Sequence, residues 1–293
     1  MWTSDVDLHS HSTHSDGSNP VHVVAEAMAA ADVRVWSLTD HDTTRGWEEA
    51  EAAAQATGMV HLPGVELTCT PALPPRSGAT RSSSWHLLAY VPNGLERPEA
   101  ASLRAWIAGL TEARGPRMAA MVERLNALGV DVNLDRVCAR ASVAVGRPHL
   151  AAELVEIGVV GTVQEAFDVW IGDGRPAHVE RGRPSIQEAA SKVTAAGGFC
   201  SLAHPMYYDV DTEGLMQVLK RDGVDAVEAF HSSHDDRYRA ELWQAAIASG
   251  LTVTVGSDHH GPDHNPLPGR RPVPIDALHP EVLVLRNRAK AIQ

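Results

Sequence analysis

Segments that read as β-strands recur along this chain, and a histidine or carboxylate closes one after another. That pattern confines the fold to α/β classes that build a site at one edge of a sheet. The first such end is the densest. Asp7-Leu8-His9-Ser10-His11-Ser12-Thr13-His14-Ser15-Asp16 places three histidines and two carboxylates within ten residues. Val6 to Ser10 reads as a short strand, where residues two apart share a face, so His9 and His11 reach one cation together. Imidazole with carboxylate suits zinc, manganese or iron, whereas calcium or magnesium would take mostly oxygen. A lone His-x-His is better explained as polar surface. The rest of the sequence decides.

Val21 to Ala31 is an alanine-rich helix opened by Asn19-Pro20, and Arg34 to Thr39 is an apolar strand ending in Thr39-Asp40-His41-Asp42-Thr43. A helix from about Trp47 to Thr57 leads to a strand closing on Pro63-Gly64-Val65-Glu66-Leu67, so His41 and Glu66 stand ready to join His9 and His11. Pro71 to Ser84 is a long Pro, Ser and Gly loop. It ends at His86-Leu87-Leu88-Ala89-Tyr90-Val91, a strand with its histidine at the start; alone, His86 reads as an ordinary strand residue.

From Arg97 to about Arg181 helical spacing replaces the alternation, which predicts a mainly helical insertion. The expected organisation is 1–96 and 182–293 as two parts of one α/β domain and 97–181 as an inserted substrate cap. The stripe Met118, Met121, Leu125 and Leu128 is core. Arg114 and Arg117, three apart, could fork onto a phosphate, although a solvated basic face is the commoner meaning of such a pair. Gly146-Arg147-Pro148-His149 opens another helix, a plausible anion site. Beyond the insertion, strands end in Ala203-His204-Pro205, in His231 and in Gly256-Ser257-Asp258-His259-His260, with helices between them over Ser185 to Ala196, Thr212 to Arg221 and Asp236 to Ser249.

A formal net charge of −12 argues against a grip on duplex DNA, while a small phosphorylated substrate stays open because bound cations invert the local field. No apolar run is long enough to span a membrane, and the N-terminus lacks a signal-peptide layout. Cys69, Cys138 and Cys200 stand apart in apolar or small-residue company, which fits reduced thiols and a cytoplasmic protein.

The ordered set Asp7-Leu8-His9-Ser10-His11, Asp16, Thr39-Asp40-His41-Asp42, Gly64-Val65-Glu66, His86, Ala203-His204-Pro205 and Gly256-Ser257-Asp258-His259-His260 resembles the PHP (polymerase and histidinol phosphatase) family of metal-dependent phosphoesterases. The middle segment, with Arg114, Arg117 and Gly146-Arg147-Pro148-His149, resembles its branch of nucleotide 3′,5′-bisphosphate phosphatases and 5′-to-3′ exoribonucleases. The resemblance implies a distorted (β/α)7 barrel around three divalent ions, manganese first, with iron or zinc as alternatives. It implies that His9, His11, Glu66 and Asp258 hold one metal; Glu66, His86 and His204 a second; and Asp16, His41 and His260 the third. Asp42, Arg114, Arg117 and His149 would then touch substrate, aided by Arg147. His260 is preferred to His259 because Asp-x-His shares one strand face.

Clustered divalent cations without thiolates suit phosphoester hydrolysis by a metal-bridging hydroxide, with His149 or His231 protonating the leaving alkoxide. The expected substrate is a small phosphorylated nucleotide, most simply a nucleoside 3′,5′-bisphosphate losing its 3′-phosphate, with short 5′-phosphorylated RNA as the alternative. Histidinol-phosphate phosphatase and an amide-ring hydrolase are the rival enzymes, and a degenerate metal-binding regulatory domain is the rival outside catalysis.

Overall fold

The computed structural model describes residues 1–77, 84–112, 114–141, 145–180, 182–262, 267–269 and 271–291. The chain divides into two compact units, Met1–Trp106 with Arg183–Gln293, and Ile107–Gly182.

The first unit opens with β1 (Trp2–Thr3), β2 (Val6–Asp7), α1 (Val21–Ala30), β3 (Val35–Trp36), α2 (Trp47–Ala56) and β4 (Val60–His61). In α1 the buried residues Val21, Val24, Ala25 and Met28 fall at helical spacing, and this stripe packs with Trp36, Leu38, Ala50 and Ala54. β2, β3 and β4 form a parallel sheet in which Val6 stands beside Val35 and Val35 beside Val60. The regular strands are shorter than the sequence predicts: β2 ends at Asp7 and β3 at Trp36.

β5 (Gly64–Cys69) and β6 (Trp85–Tyr90) follow, and α3 (Pro98–Glu112) leads out of the unit. The second unit contains α4 (Arg114–Ala127), α5 (Leu134–Ala139), α6 (Arg147–Glu156) and α7 (Val163–Ala166), the last running into one π-turn over Phe167–Ile171. Its own core gathers Met118, Met121 and Leu125 of α4 with Leu150, Leu154 and Ile171. Leu128, expected in that stripe, is 51% exposed because α4 ends at Ala127. The buried Glu153 carboxylate is held by Arg136 at 2.9 Å and Arg140 at 2.7 Å.

Back in the first unit, α8 (Ile186–Ala195), β7 (Phe199–Leu202), α9 (Thr212–Arg221), β8 (Ala226–His231), α10 (Asp236–Ala248) and β9 (Thr252–Gly256) restore the alternation, and β10 (Val273–Pro274) and α11 (Pro280–Ala291) end the chain. Asp211 and Asp235 cap α9 and α10 through their carboxylates. The second large sheet has the order β5-β6-β7-β8-β9, parallel from β7 to β9, while β6 runs antiparallel to both neighbours. β10 pairs antiparallel with β1. Backbone hydrogen bonds join the large sheets on both sides: Leu8 N–H donates to the Val255 carbonyl at 2.9 Å and Glu66 N–H to the Thr39 carbonyl at 3.0 Å, among others. The unit is thus a mixed α/β fold; among the described residues the pairing is that of separate sheets, not of one continuous closed barrel.

Candidate metal centre

Glu66 organises the site. It lies on β5, fully buried, and five imidazoles converge on its carboxylate. His86 Nδ1 and His204 Nε2 lie 2.9 and 3.0 Å from Oε1, while His9 Nε2, His11 Nε2 and His41 Nδ1 lie 3.2, 3.1 and 3.2 Å from Oε2. Asp258 Oδ1 is 3.2 Å from both His9 Nε2 and His11 Nε2. Asp16 faces His11, His41 and His260 at 3.4 to 3.6 Å.

The fold explains how residues so distant in sequence meet. His9 and His11 leave the end of β2, and His41 follows β3 and bridges to Glu66. His204 and Asp258 follow β7 and β9. His86 comes from the start of its strand because β6 runs backwards: Thr68 near the end of β5 stands opposite His86. Three of these positions have left-handed backbone, Asp42 (φ 51°), His204 (φ 28°) and Asp258 (φ 57°), a strained conformation for non-glycine residues that concentrates here at functional strand ends. Gly256 ends β9 where a Cβ would lie 2.3 Å from His9 Cβ and 2.5 Å from a Glu228 oxygen, so only glycine leaves room for both.

Three ring nitrogens, His9 Nε2, His11 Nε2 and His41 Nδ1, are buried and find no hydrogen-bond partner among the described residues. Each nevertheless lies within 3.2 Å of Glu66 Oε2. Lone pairs gathered on a carboxylate without hydrogen-bond alignment are what a divalent cation satisfies, and His with Asp and Glu is a fitting donor set for a borderline metal. Ligand atoms within 4.8 Å of one another form four overlapping groups: His9, His11, Glu66 and Asp258; His11, Asp16, His41 and His260; His41, Glu66 and His86; and His9, Glu228 and His231.

The electrostatics are those of a carboxylate cage. Burial opposes a charged His9, but Glu228, Asp258 and Glu66 hold its pKa well above the usual histidine range. Burial likewise opposes charge on His11, and Asp258, Glu66 and Asp16 raise it to about 10. His41 goes the other way: burial dominates and lowers it to about 4. Glu66 and Asp258 resist burial, which would raise them, and stay well below the ordinary carboxylate range because histidines surround them.

Further residues hold this cage: Glu228 and Tyr208, which the sequence reading passed over, and Asp7 and Asp40, which it quoted in its motifs without giving them a role. Glu228 accepts from His9 Nδ1 at 2.9 Å and from the His204 N–H at 2.8 Å. A register shift in β8 between Val227 and Phe230 breaks the two-residue alternation, so Glu228 and His231 reach the same cluster, and no period-two reading of the sequence could pair them. Asp40 accepts from Ser12 N–H at 2.8 Å and from the Ser12 and Ser15 hydroxyls at 2.7 and 2.6 Å, fixing the loop between His11 and Asp16. Asp7 accepts from Ser257 N–H and Gly269 N–H, both at 2.9 Å. The Tyr208 hydroxyl accepts from His86 N–H at 2.8 Å and lies 3.4 Å from His204 Nδ1.

The other expected site residues are placed as follows. His260 stacks on His11 with ring centroids 4.2 Å apart, while His259 holds the loop through its carbonyl, which accepts from His11 N–H. His231 Nε2 is 3.5 Å from Asp258 Oδ2, and its Nδ1 is 2.8 Å from the Ser233 hydroxyl. Asp42 is fully buried, and its oxygens accept from Thr68 N–H and hydroxyl at 2.8 and 2.9 Å, so the carboxylate ties two strand ends together. Arg114, Arg117, Arg147 and His149 belong to the second unit. There Arg117 Nε donates to the Val179 carbonyl at 2.8 Å, Arg147 pairs with Asp173 at 2.7 Å, and His149 Nδ1 accepts from Gly146 N–H, capping α6.

No family model matches the chain. It is 33% identical over 270 residues, 88% of each chain, to a 3′,5′-nucleoside bisphosphate phosphatase of Chromobacterium violaceum. It is 31% identical over 265 residues, 89% of this chain and 91% of the relative, to a 5′-3′ exoribonuclease of Haemophilus influenzae. Among solved structures it superimposes with a TM-score of 0.76 on an amidohydrolase from Chromobacterium violaceum bound to sulfate, at 27% identity over 98% of this chain and 96% of that one. A metal-dependent phosphoesterase from Bifidobacterium adolescentis gives a TM-score of 0.74 at 28% identity over 96% and 95%.

Proposed function

This chain belongs to the PHP family of metal-dependent phosphoesterases, and from that premise we propose that it removes the 3′-phosphate of nucleoside 3′,5′-bisphosphates, leaving a 5′-mononucleotide. The observation that carries the reading is the convergence of five imidazoles on the buried Glu66 carboxylate in a chain that matches a bisphosphate phosphatase over 88% of its length. The two large sheets are proposed as the arcs of a distorted (β/α)7 barrel, on the support of the bonds Leu8 to Val255 and Glu66 to Thr39 that join them.

Three divalent ions are proposed, manganese with iron or zinc as alternatives. His9, His11, Glu66 and Asp258 would hold one, Glu66, His86 and His204 the second, and Asp16, His41 and His260 the third. Bound there, the cations supply Lewis acidity toward the phosphoryl oxygens and bring water toward a neutral pKa. Glu66 Oε1 faces His86 and His204 and Oε2 faces His9, His11 and His41, so this one carboxylate would serve two of the ions. Glu228, accepting from His9 Nδ1, leaves Nε2 as the ligand atom. His231, beside Asp258 and Ser233, is proposed to deliver a proton to the leaving oxygen, with His149 as the alternative donor. For Arg114, Arg117, Arg147 and His149 substrate binding is proposed, on their residue chemistry and the phosphorylated substrates named for the relatives. Asp42, which ties Thr68 in place, is proposed to support the substrate side of the same strand ends. Cytoplasmic location is proposed on the free thiols Cys69, Cys138 and Cys200; no helix among the described residues is long and apolar enough to cross a membrane.

The test is phosphate release by manganese-loaded protein from adenosine 3′,5′-bisphosphate beside 5′-AMP, histidinol phosphate and a short 5′-phosphorylated RNA. Selective loss of the 3′-phosphate is expected. Preference for histidinol phosphate would overturn the nucleotide reading. Preference for the RNA would install the second reading, 5′-to-3′ exoribonuclease, which the Haemophilus influenzae relative supports.

A further inference from the structure

His86 and His204 form one wall of a cavity of about 600 Å³, lined otherwise, among the described residues, by Ser84, Met206, Tyr207, Tyr208 and Asp209. The four residues Pro205–Tyr208 make one 3₁₀ turn bounded by His204 and Asp209, both with left-handed backbone. The turn splits its two tyrosines. Tyr208 points inward, stacked on Trp85 at 5.1 Å and 17°. Tyr207 points outward, 51% exposed, with Met206 36% exposed beside it. The Tyr207 ring nonetheless stays at the metal centre, 5.3 Å from the His204 ring and 6.4 Å from that of His231.

An aromatic face left open on a 3₁₀ turn, beside the rings of His204 and His231, has a specific use. His86 and His204 line the same cavity as Tyr207, so a phosphate ester held at the cations proposed for Glu66, His86 and His204 would have this wall beside the rest of its molecule. We infer that Tyr207, with the polarizable Met206 thioether at its edge, is the platform on which the substrate's nucleobase stacks, and that it sets the preference for nucleotides over base-free phosphate esters. Every base offers a π face, so the platform discriminates base from no base and not among bases. This inference rests on the nucleotide reading above and deepens it.

The experiment compares kcat/KM for adenosine 3′,5′-bisphosphate and for glycerol 2-phosphate, an ester with no ring to stack, in the wild-type protein, Tyr207→Ala, Tyr207→Leu and Tyr207→Phe. The ratio of the two is expected to fall about tenfold in the Ala and Leu variants and to be held by Phe. Calorimetric binding of 5′-AMP against ribose 5-phosphate should show the same loss confined to the base-bearing ligand. A ratio that stays constant in Tyr207→Ala, or one that Leu preserves as well as Phe, would overturn the platform while leaving the phosphatase reading intact. A wild-type protein that turns over glycerol 2-phosphate and no nucleotide would overturn both.

Discussion

Glu228 Oε1 lies 2.9 Å from His9 Nδ1, with both side chains fully buried. The carboxylate is pressed upward by burial yet held below its ordinary range by His9 and His231, so it stays ionised and can only accept. That fixes the His9 tautomer and aims Nε2 at Glu66 and Asp258. Glu228→Gln keeps the shape and removes the charge. Metal affinity, measured by chelator competition, is expected to fall about 10- to 100-fold. An unchanged affinity would reduce Glu228 to a packing role.

Glu66→Ala removes the one carboxylate that five imidazoles share, and His9→Ala removes a ring that touches Glu66, Asp258 and Glu228. Both variants are expected to show no turnover above background. Metal analysis gives the second readout: bound metal per chain should drop more in Glu66→Ala, because Glu66 faces two sides of the cage. Retained activity in metal-replete Glu66→Ala would dismiss the bridging role.

The pKa of His11 supplies a pH dependence. Its folded value, about 10, is above the unfolded 6.5, so the protonated ring stabilises the metal-free protein fully below pH 6.5, and that contribution is lost as pH rises through about 10. A metal must displace the same proton. The thermal stabilisation given by a fixed manganese concentration should therefore widen between pH 6.5 and 10. His41, lowered to about 4, is already neutral across this window and adds nothing to it. A metal-induced shift in Tm that is flat with pH would show that His11 keeps its proton and does not ligate.

The sequence was most informative where chemistry and strand ends coincide. His9, His11, His41, His204, Asp258 and His260 stand out because an α/β fold gathers the ends of parallel strands, and they meet at Glu66, which lies within β5 rather than at its end. His86 broke that rule at the level of sequence, since strand direction has no signature in composition; the reversal of β6 accounts for it. Glu228 was hidden by the register shift in β8, and Tyr208 by the 3₁₀ turn that separates it from its exposed neighbour. The helical stretch was legible from its periodicity, yet the compact unit begins at Ile107, inside α3, because a helix can cross from one core to another without any change in pattern.

Arg117 sits half-buried in the second unit with its Nε spent on the Val179 carbonyl. Arg117→Ala loses at least this hydrogen bond, at a cost of about 1 kcal/mol in stability. If the guanidinium also reads phosphate, the KM for a nucleoside 3′,5′-bisphosphate should rise about tenfold while that for a monophosphate changes little. A Tm loss without any KM change would confine Arg117 to holding Val179.

Tyr207 and Tyr208 are adjacent, and removal of the hydroxyl should have opposite consequences at the two positions. At Tyr207 the ring is exposed, and phenylalanine should shift stability by less than about 0.5 kcal/mol. At Tyr208 the hydroxyl is buried and is the acceptor for His86 N–H. Tyr208→Phe leaves that N–H without a partner while the stack on Trp85 survives, so stability should drop by about 1 to 3 kcal/mol. Because His86 is only the second residue of β6, the loss also loosens a ring that faces Glu66, and kcat should fall more than KM rises. Equal stability of the two Phe variants in denaturant titrations would mean that the His86 N–H finds another acceptor, and that Tyr208 positions nothing.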